Sequence, residues 1–121
     1  MVSRIIPVEP FDLVIFGGTG DLARRKILPG LFRRFCAGQM PDRAQIIGAA
    51  RGELDDARYR TLIAEAIIEF AKPSAEDHAQ IEGFLKHLAF VSIDAKGTRG
   101  WEALESLLRD DVVRAFYFSV A

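Results

Sequence analysis

A chain of 121 residues, half of them apolar and 27% charged, is enough for one domain with a buried core and too short for a cofactor domain joined to a substrate domain. Its formal net charge of −1 lacks the positive excess that gripping nucleic acid requires, so nucleic acid is not an expected partner. No apolar run reaches the length needed to cross a bilayer, and Met1 to Pro10 lacks the apolar centre of a secretion signal, so a cytoplasmic protein with no membrane partner is expected.

Met1 to Pro10 carries two prolines and no periodicity, which predicts a flexible leader, with residues 11–121 as the folded domain. Leu13-Val14-Ile15-Phe16 is an unbroken apolar run, the pattern of a strand buried on both faces, and Asp12 to Phe16 is read as the first strand. Glycines follow it. Gly18, Gly20 and Ala23 fit the spacing G-x-G-x-x-G/A, in which one glycine serves the turn and one lets the backbone approach a pyrophosphate. The third small residue stands where helix meets strand. The amides opening the next helix would point at the phosphates, and the helix dipole favours their charge.

That helix is expected over Asp21 to Ala37, bent by Pro29, with Leu28, Leu31, Phe32 and Phe35 as its buried stripe. Cys36, the one cysteine, has neither a disulfide partner nor metal-ligand companions and reads as a small packed residue. Gln45 to Ala50 is a second buried strand. Asp55 or Asp56 can cap the next helix, whose face is Leu62, Ile63, Ala66, Ile67 and Phe70 and which ends at Pro73. Ser74 with Asp77 has capping-box spacing for a further helix with the stripe Ile81, Phe84, Leu85 and Leu88. Its two histidines, His78 and His87, show no metal or catalytic spacing and are expected at the surface. A third strand is read over Ala89 to Ile93, and a helix over Thr98 to Leu108 with Trp101, Leu104 and Leu108 on one face. A fourth strand follows over Arg114 to Val120, its Phe116, Tyr117 and Phe118 taken as core.

Strands alternating with helices imply parallel crossovers, hence an α/β, Rossmann-like doubly wound sheet of which these elements form the first half, in the order 3-2-1-4. Ligands bind such folds outside the C-terminal strand ends where the order reverses, and Gly18 to Asp21, Arg51, Asp94 and Ala121 fall at those ends. Arg51 stands where an NAD site carries an acid for the ribose 2′-hydroxyl. A cation there suits a 2′-phosphate and predicts NADP, with NAD secondary. Lys26, about a turn into the helix, could reach back toward phosphate or substrate, whereas Arg24 and Arg25 are expected to face solvent. Asp21 would repel a pyrophosphate and reads better as a helix cap or dipole complement.

Two segments together narrow the family. Gly17-x-x-Gly20-Asp21-Leu22-Ala23-Arg24-Arg25-Lys26-x-x-Pro29 resembles the fingerprint of the glucose-6-phosphate dehydrogenases, and Ile47-Gly-Ala-Ala-Arg51 resembles their second-strand ending. Phe116-Tyr117-Phe118-Ser119-Val120-Ala121 is similar to their fourth strand. The resemblance implies oxidation of the C1 hydroxyl of glucose 6-phosphate to a lactone, with hydride passing to NADP or, in some members, NAD. It implies that Gly17, Gly18, Thr19, Gly20, Asp21 and Leu22 cradle the pyrophosphate and that Arg51 holds the 2′-phosphate. Lys26 would lie near the reacting centre and Asp94 along the adenine side. No stretch here resembles the family's Arg-Ile-Asp-His-Tyr segment with its catalytic histidine, or its sugar-phosphate site. The chain is therefore expected to be inactive alone and to meet glucose 6-phosphate only within a longer enzyme, itself a homo-oligomer. By itself it is expected to associate through an open strand edge. The alternative is a stand-alone NADP(H)-binding module without catalysis.

Overall fold

The computed structural model describes residues 9–94 and 97–118. Its strands are β1 (Phe11–Phe16), β2 (Gln45–Ala50), β3 (Leu88–Ser92) and β4 (Val113–Phe118). They form one parallel sheet in the order β3-β2-β1-β4, as the alternation of elements implies. The helices are α1 (Leu28–Cys36), α2 (Asp56–Ala66), α3 (Ala75–His78), α4 (Ile81–Leu85) and α5 (Trp101–Leu107).

Alternate residues of β1, β2 and β3 feed separate cores on the two faces of the sheet. On one face Ile15, Ile46, Leu88 and Phe90 pack with Leu28 and Phe32 of α1, Tyr59 and Ile63 of α2, and Ile81 and Phe84 of α4. On the other, Val14, Phe16, Ile47, Ala49, Val91 and Ile93 are covered by Leu104 of α5. The first core holds most of the large side chains, so α1 and α2 sit firmly against the strand ends that carry the glycine-rich turn.

Several elements depart from the sequence expectation. The first helix runs without a break over residues 21–36, close to expectation, but it passes Pro29, the second residue of α1, behind a wide π-helical turn over Ala23–Ile27 in which the Leu28 N–H donates to the Ala23 carbonyl. An α-helix through this point would drive the proline ring into the Arg25 carbonyl, and the wider turn removes that clash. A second π turn, Ile67–Ala71, closes α2, and Lys72 at φ 48° stops the chain before Pro73. Asp55 caps α2 by accepting from the Arg58 N–H at 2.7 Å, while Asp56 instead accepts from the Phe90 N–H at 2.8 Å. Ser74 caps α3 through the Asp77 N–H, as the capping box requires, but the helix expected to run on to Leu88 breaks into α3 and α4. Leu88 opens β3 instead. His78 is exposed, whereas His87 is half-buried, its Nδ1 2.7 Å from the Ala44 carbonyl and its ring 5.5 Å from Phe35; it pins the loop before β2 rather than facing solvent. Cys36 packs at the margin of the first core, and burial, reinforced by the charge and hydrogen bond of Asp77, raises its thiol pKa.

The largest departure is β4. Phe116, Tyr117 and Phe118 were expected in the core, yet Phe118 is 68% exposed and every residue of the strand lies open. No helix among the described residues covers either face of β4, and only its β1 side is paired. Phe16 is the exception in that region, buried beneath the Phe118 ring at 4.9 Å and beside Trp101 at 5.8 Å. Trp101 itself, expected on the buried face of α5, is 39% exposed and donates its indole N–H to Gly97. The leader expected over Met1 to Pro10 lies outside the described residues except for Glu9 and Pro10, and the end expected for the fourth strand, beyond Phe118, lies outside them too.

At the opposite end of the sheet, Asp12 of β1 is fully buried. Its carboxylate accepts from the Arg109 backbone N–H at 2.7 Å, from the Arg109 guanidinium at 2.7 and 3.0 Å, and from Gln45 at 3.1 Å. Arg109 also donates to the carbonyls of Phe11 and Arg43. One buried anion thus ties β1, β2 and the link from α5 to β4. Asp12→Asn, which leaves Arg109 without its charge partner, is expected to destabilise by roughly 2–3 kcal/mol, below the fully buried range because Arg109 is partly exposed. The check is a lower urea midpoint with an unchanged slope.

Candidate dinucleotide-binding site

The turn after β1 is built by residues with little or no side chain. Gly17 takes φ 80°, the left-handed conformation the sharp exit from the strand needs, so the turn glycine is Gly17 rather than Gly18. The Gly17 and Gly18 N–H groups both donate to the Ala49 carbonyl of β2, at 2.8 and 3.2 Å, and the Gly20 N–H donates back to Gly17 at 2.9 Å. Gly18 is glycine for packing: a Cβ there would meet the Gly48 Cα at 2.8 Å and the Tyr59 hydroxyl at 3.0 Å. Gly48 in turn has no room for a side chain, because a Cβ would overlap the Tyr59 ring. A Cβ on Gly20 would meet only the Gly17 carbonyl, at 3.1 Å, so this glycine keeps the backbone open on its outer side. Ala23 is fully buried where the π turn meets the sheet.

With those bonds assigned, the N–H groups of Thr19, Asp21 and Leu22 have no acceptor among the described residues. Three donors at the start of a helix suit an anion. Asp21 does not oppose one strongly, because Arg25 Nε donates to its carboxylate at 2.7 Å and screens it; the residue pairs along the helix rather than capping it. Arg24, expected in solvent, is half-buried and donates to the Thr19 carbonyl at 3.0 Å, which fixes the outer limb of the turn. Arg25 faces outward as expected, with its guanidinium 5.1 Å from the Phe70 ring. These features, an open backbone at Gly20 and amides without acceptors among the described residues beside an acid paired with Arg25, fit a pyrophosphate.

The remaining sequence-predicted residues stand around the same end of the sheet. Arg51 directly follows β2, is exposed, and has no hydrogen bond or ion pair among the described residues. The Ala49 carbonyl that holds Gly17 and Gly18 lies two residues before it, so turn and cation are joined through one strand. Asp94 lies two residues past β3, half-buried, its N–H donating to the Arg99 carbonyl. Lys26 is exposed within the π turn, one turn beyond the cradle. Among the described residues no three His, Cys, Asp or Glu side chains gather to hold a metal, and no helix is long and apolar enough to cross a membrane.

Sequence reasoning missed Gly48 and Tyr59. The signal for Gly48 was available, since an isolated glycine inside a strand marks a close approach. Tyr59 gave none, because nothing in its local pattern distinguishes it from any buried aromatic on a helix.

A family model described as glucose-6-phosphate dehydrogenase, NAD binding domain, matches residues 14–121. The chain belongs to this family. It is 48% identical, over 99% of its length, to the glucose-6-phosphate 1-dehydrogenase of Rhizobium meliloti (strain 1021), and 46% identical, over 94%, to that of Gluconobacter oxydans (strain 621H). It spans about a quarter of the length of these relatives, 25% and 24%. A solved glucose-6-phosphate dehydrogenase in complex with glucose-6-phosphate superposes on the whole chain and 26% of its own, with a TM-score of 0.82 and 25% identity.

The two kinds of glycine predict different outcomes. Gly48→Ala is expected to destabilise the domain by about 1–3 kcal/mol through overpacking against Tyr59, while Gly20→Ala, whose Cβ would meet a single backbone carbonyl at 3.1 Å, is expected to lower the melting temperature less. Equal losses in melting temperature would contradict the division.

Proposed function

We propose that this chain is the NADP-binding part of a glucose-6-phosphate 1-dehydrogenase acting in the pentose phosphate pathway of the cytoplasm. The supporting observation is the conjunction of amides at Thr19, Asp21 and Leu22 with an exposed Arg51 at the next strand end, all without partners among the described residues, in a chain of this family. Gly17 to Leu22 hold the pyrophosphate, Thr19 adds its hydroxyl, Arg51 takes the 2′-phosphate, Asp94 borders the adenine side, and Lys26 lies toward the reacting centre. Bound NADP supplies the acceptor for the hydride leaving C1 of glucose 6-phosphate. The residues of this chain orient that acceptor, and NAD is the weaker alternative. Substrate alignment and the general base fall to parts of the enzyme that these 121 residues do not include.

The cation at the end of β2 gives the reading its test. Arg51→Asp is expected to weaken NADP binding by about 1.5–3 kcal/mol, the loss of one charge-assisted contact, while sparing NAD. Calorimetry that finds equal losses for both cofactors would sink the assignment.

The complete enzyme is read as a homo-oligomer, and the isolated chain as one that self-associates through β4. The two sheet edges support this second point by their contrast. On β3 the Leu88 carbonyl is taken by the Arg60 guanidinium and the Phe90 N–H by Asp56, so the edge is sealed by α2. On β4 no described residue plays that part, and its one cation, Arg114, is paired with Asp110 and so offers little repulsion to another strand. Sedimentation is expected to find dimers or larger species whose proportion rises with concentration and falls in Phe118→Lys. A clean monomer across a wide concentration range would refute the association.

A further inference from the structure

We propose that Tyr59 is a positioning residue of the anion cradle: its phenol fixes the Gly18–Thr19 peptide so that the Thr19 N–H faces the site. The inference rests on the dinucleotide-binding reading and adds to it a residue from α2, 40 positions away in sequence from Thr19. The Tyr59 hydroxyl donates to the Gly18 carbonyl at 3.0 Å, and that carbonyl points into the core. A trans peptide is planar, so the N–H of the next residue points the opposite way from the carbonyl. Holding the Gly18 oxygen inward therefore turns the Thr19 N–H outward, where it has no acceptor among the described residues.

The lock is needed because the peptide joins a glycine, whose conformational freedom allows the plane to turn over. A reversed peptide would present a carbonyl oxygen to the phosphates in place of a donor, replacing attraction with repulsion. No other group among the described residues donates to the Gly18 carbonyl. Tyr59 is suited to the task because it cannot move: it is fully buried, lies against Gly48, and packs 5.2 Å from the Phe90 ring. Burial also raises its phenol pKa well above the ordinary value, so the hydroxyl remains a donor throughout the working pH range. The missing side chains at Gly18 and Gly48 thus make room for one hydroxyl to reach one carbonyl.

Tyr59→Phe keeps the ring and removes the hydroxyl. Calorimetry on wild-type and variant chains is expected to show NADP binding weakened roughly fivefold to tenfold, by loss of one oriented donor, with adenosine 2′-monophosphate, which has no pyrophosphate, changed less than about twofold. Nuclear magnetic resonance relaxation is expected to find the Thr19 amide rigid in the wild type and mobile in the variant, with Ile15 and Ile47 unchanged. Unchanged NADP affinity, equal losses for the two ligands, or a Thr19 amide as rigid in the variant would each overturn the proposal. A wild-type titration with inorganic pyrophosphate provides a second test that does not depend on the variant folding. The Thr19 amide resonance should shift while those of Gly17 and Gly18, bonded to Ala49, stay nearly still; the reverse pattern overturns the orientation. If wild type binds no dinucleotide, the functional reading fails, and the relaxation comparison still decides whether Tyr59 holds the peptide.

Discussion

The approach of the β1 turn to β2 is the constraint on which the candidate site depends. A Cβ on Gly18 would run into the Gly48 backbone and one on Gly48 into the Tyr59 ring, and Tyr59 closes over both glycines with a single buried hydrogen bond. That contact brings α2 against the strand ends, lets the Ala49 carbonyl take two turn amides, and leaves the next donors unclaimed. A tyrosine here combines a large apolar ring, which fills the first core, with one polar tip that a buried carbonyl requires. Phenylalanine would meet the first need alone, and a serine on α2 could not span the gap.

Among the described residues the sheet is finished at β3 and open at β4. Arg60 and Asp56 occupy the hydrogen-bonding groups of β3, so the same helix that carries Tyr59 also terminates the sheet. β4 has its pairing with β1 and little else, yet its register sets Phe118 opposite Phe16 and stacks the two rings. Phe16 needs that cover, since it is the last residue before the glycine turn and would otherwise expose the second core at the site's edge. The exposed aromatics of β4 therefore have one structural duty already assigned, the cover of Phe16.

Much of this was legible in the sequence because the relevant forces are local or periodic. Unbroken apolar runs at Leu13–Phe16 and Ile46–Ala50 announced buried parallel strands, and with helices between them the order 3-2-1-4 followed from connection rules. The glycine spacing announced the cradle, and the free cation at Arg51 announced itself by standing where an acid is usual. What stayed hidden depends on contacts distant in sequence. Asp12 carried no signal of its role, because its partner Arg109 lies 97 residues away. Phe116 to Phe118 read as core because apolarity predicts burial only where another element exists to cover it. Arg24 read as solvent-facing because nothing local reveals that the Thr19 carbonyl lies within its reach.

The two buried polar attachments of β1 divide the labour of the domain by their position along the strand. At its N-terminal end Asp12 gathers Gln45, Arg109 and, through them, the Leu107 and Arg43 carbonyls, an arrangement in which the donors around the carboxylate are turned inward. At its C-terminal end the turn hydrogen bonds consume only the inward-facing groups and leave the outward amides unpaired. The first arrangement yields stability and nothing for a ligand. The second forgoes some internal satisfaction so that binding energy is available when an anion arrives. A parallel sheet suits this division because all its strand ends of one kind lie on one side. Charge added at Asp12's end can therefore change stability with little effect on the cradle, and Tyr59 is the residue through which the core nevertheless governs the geometry of the open end.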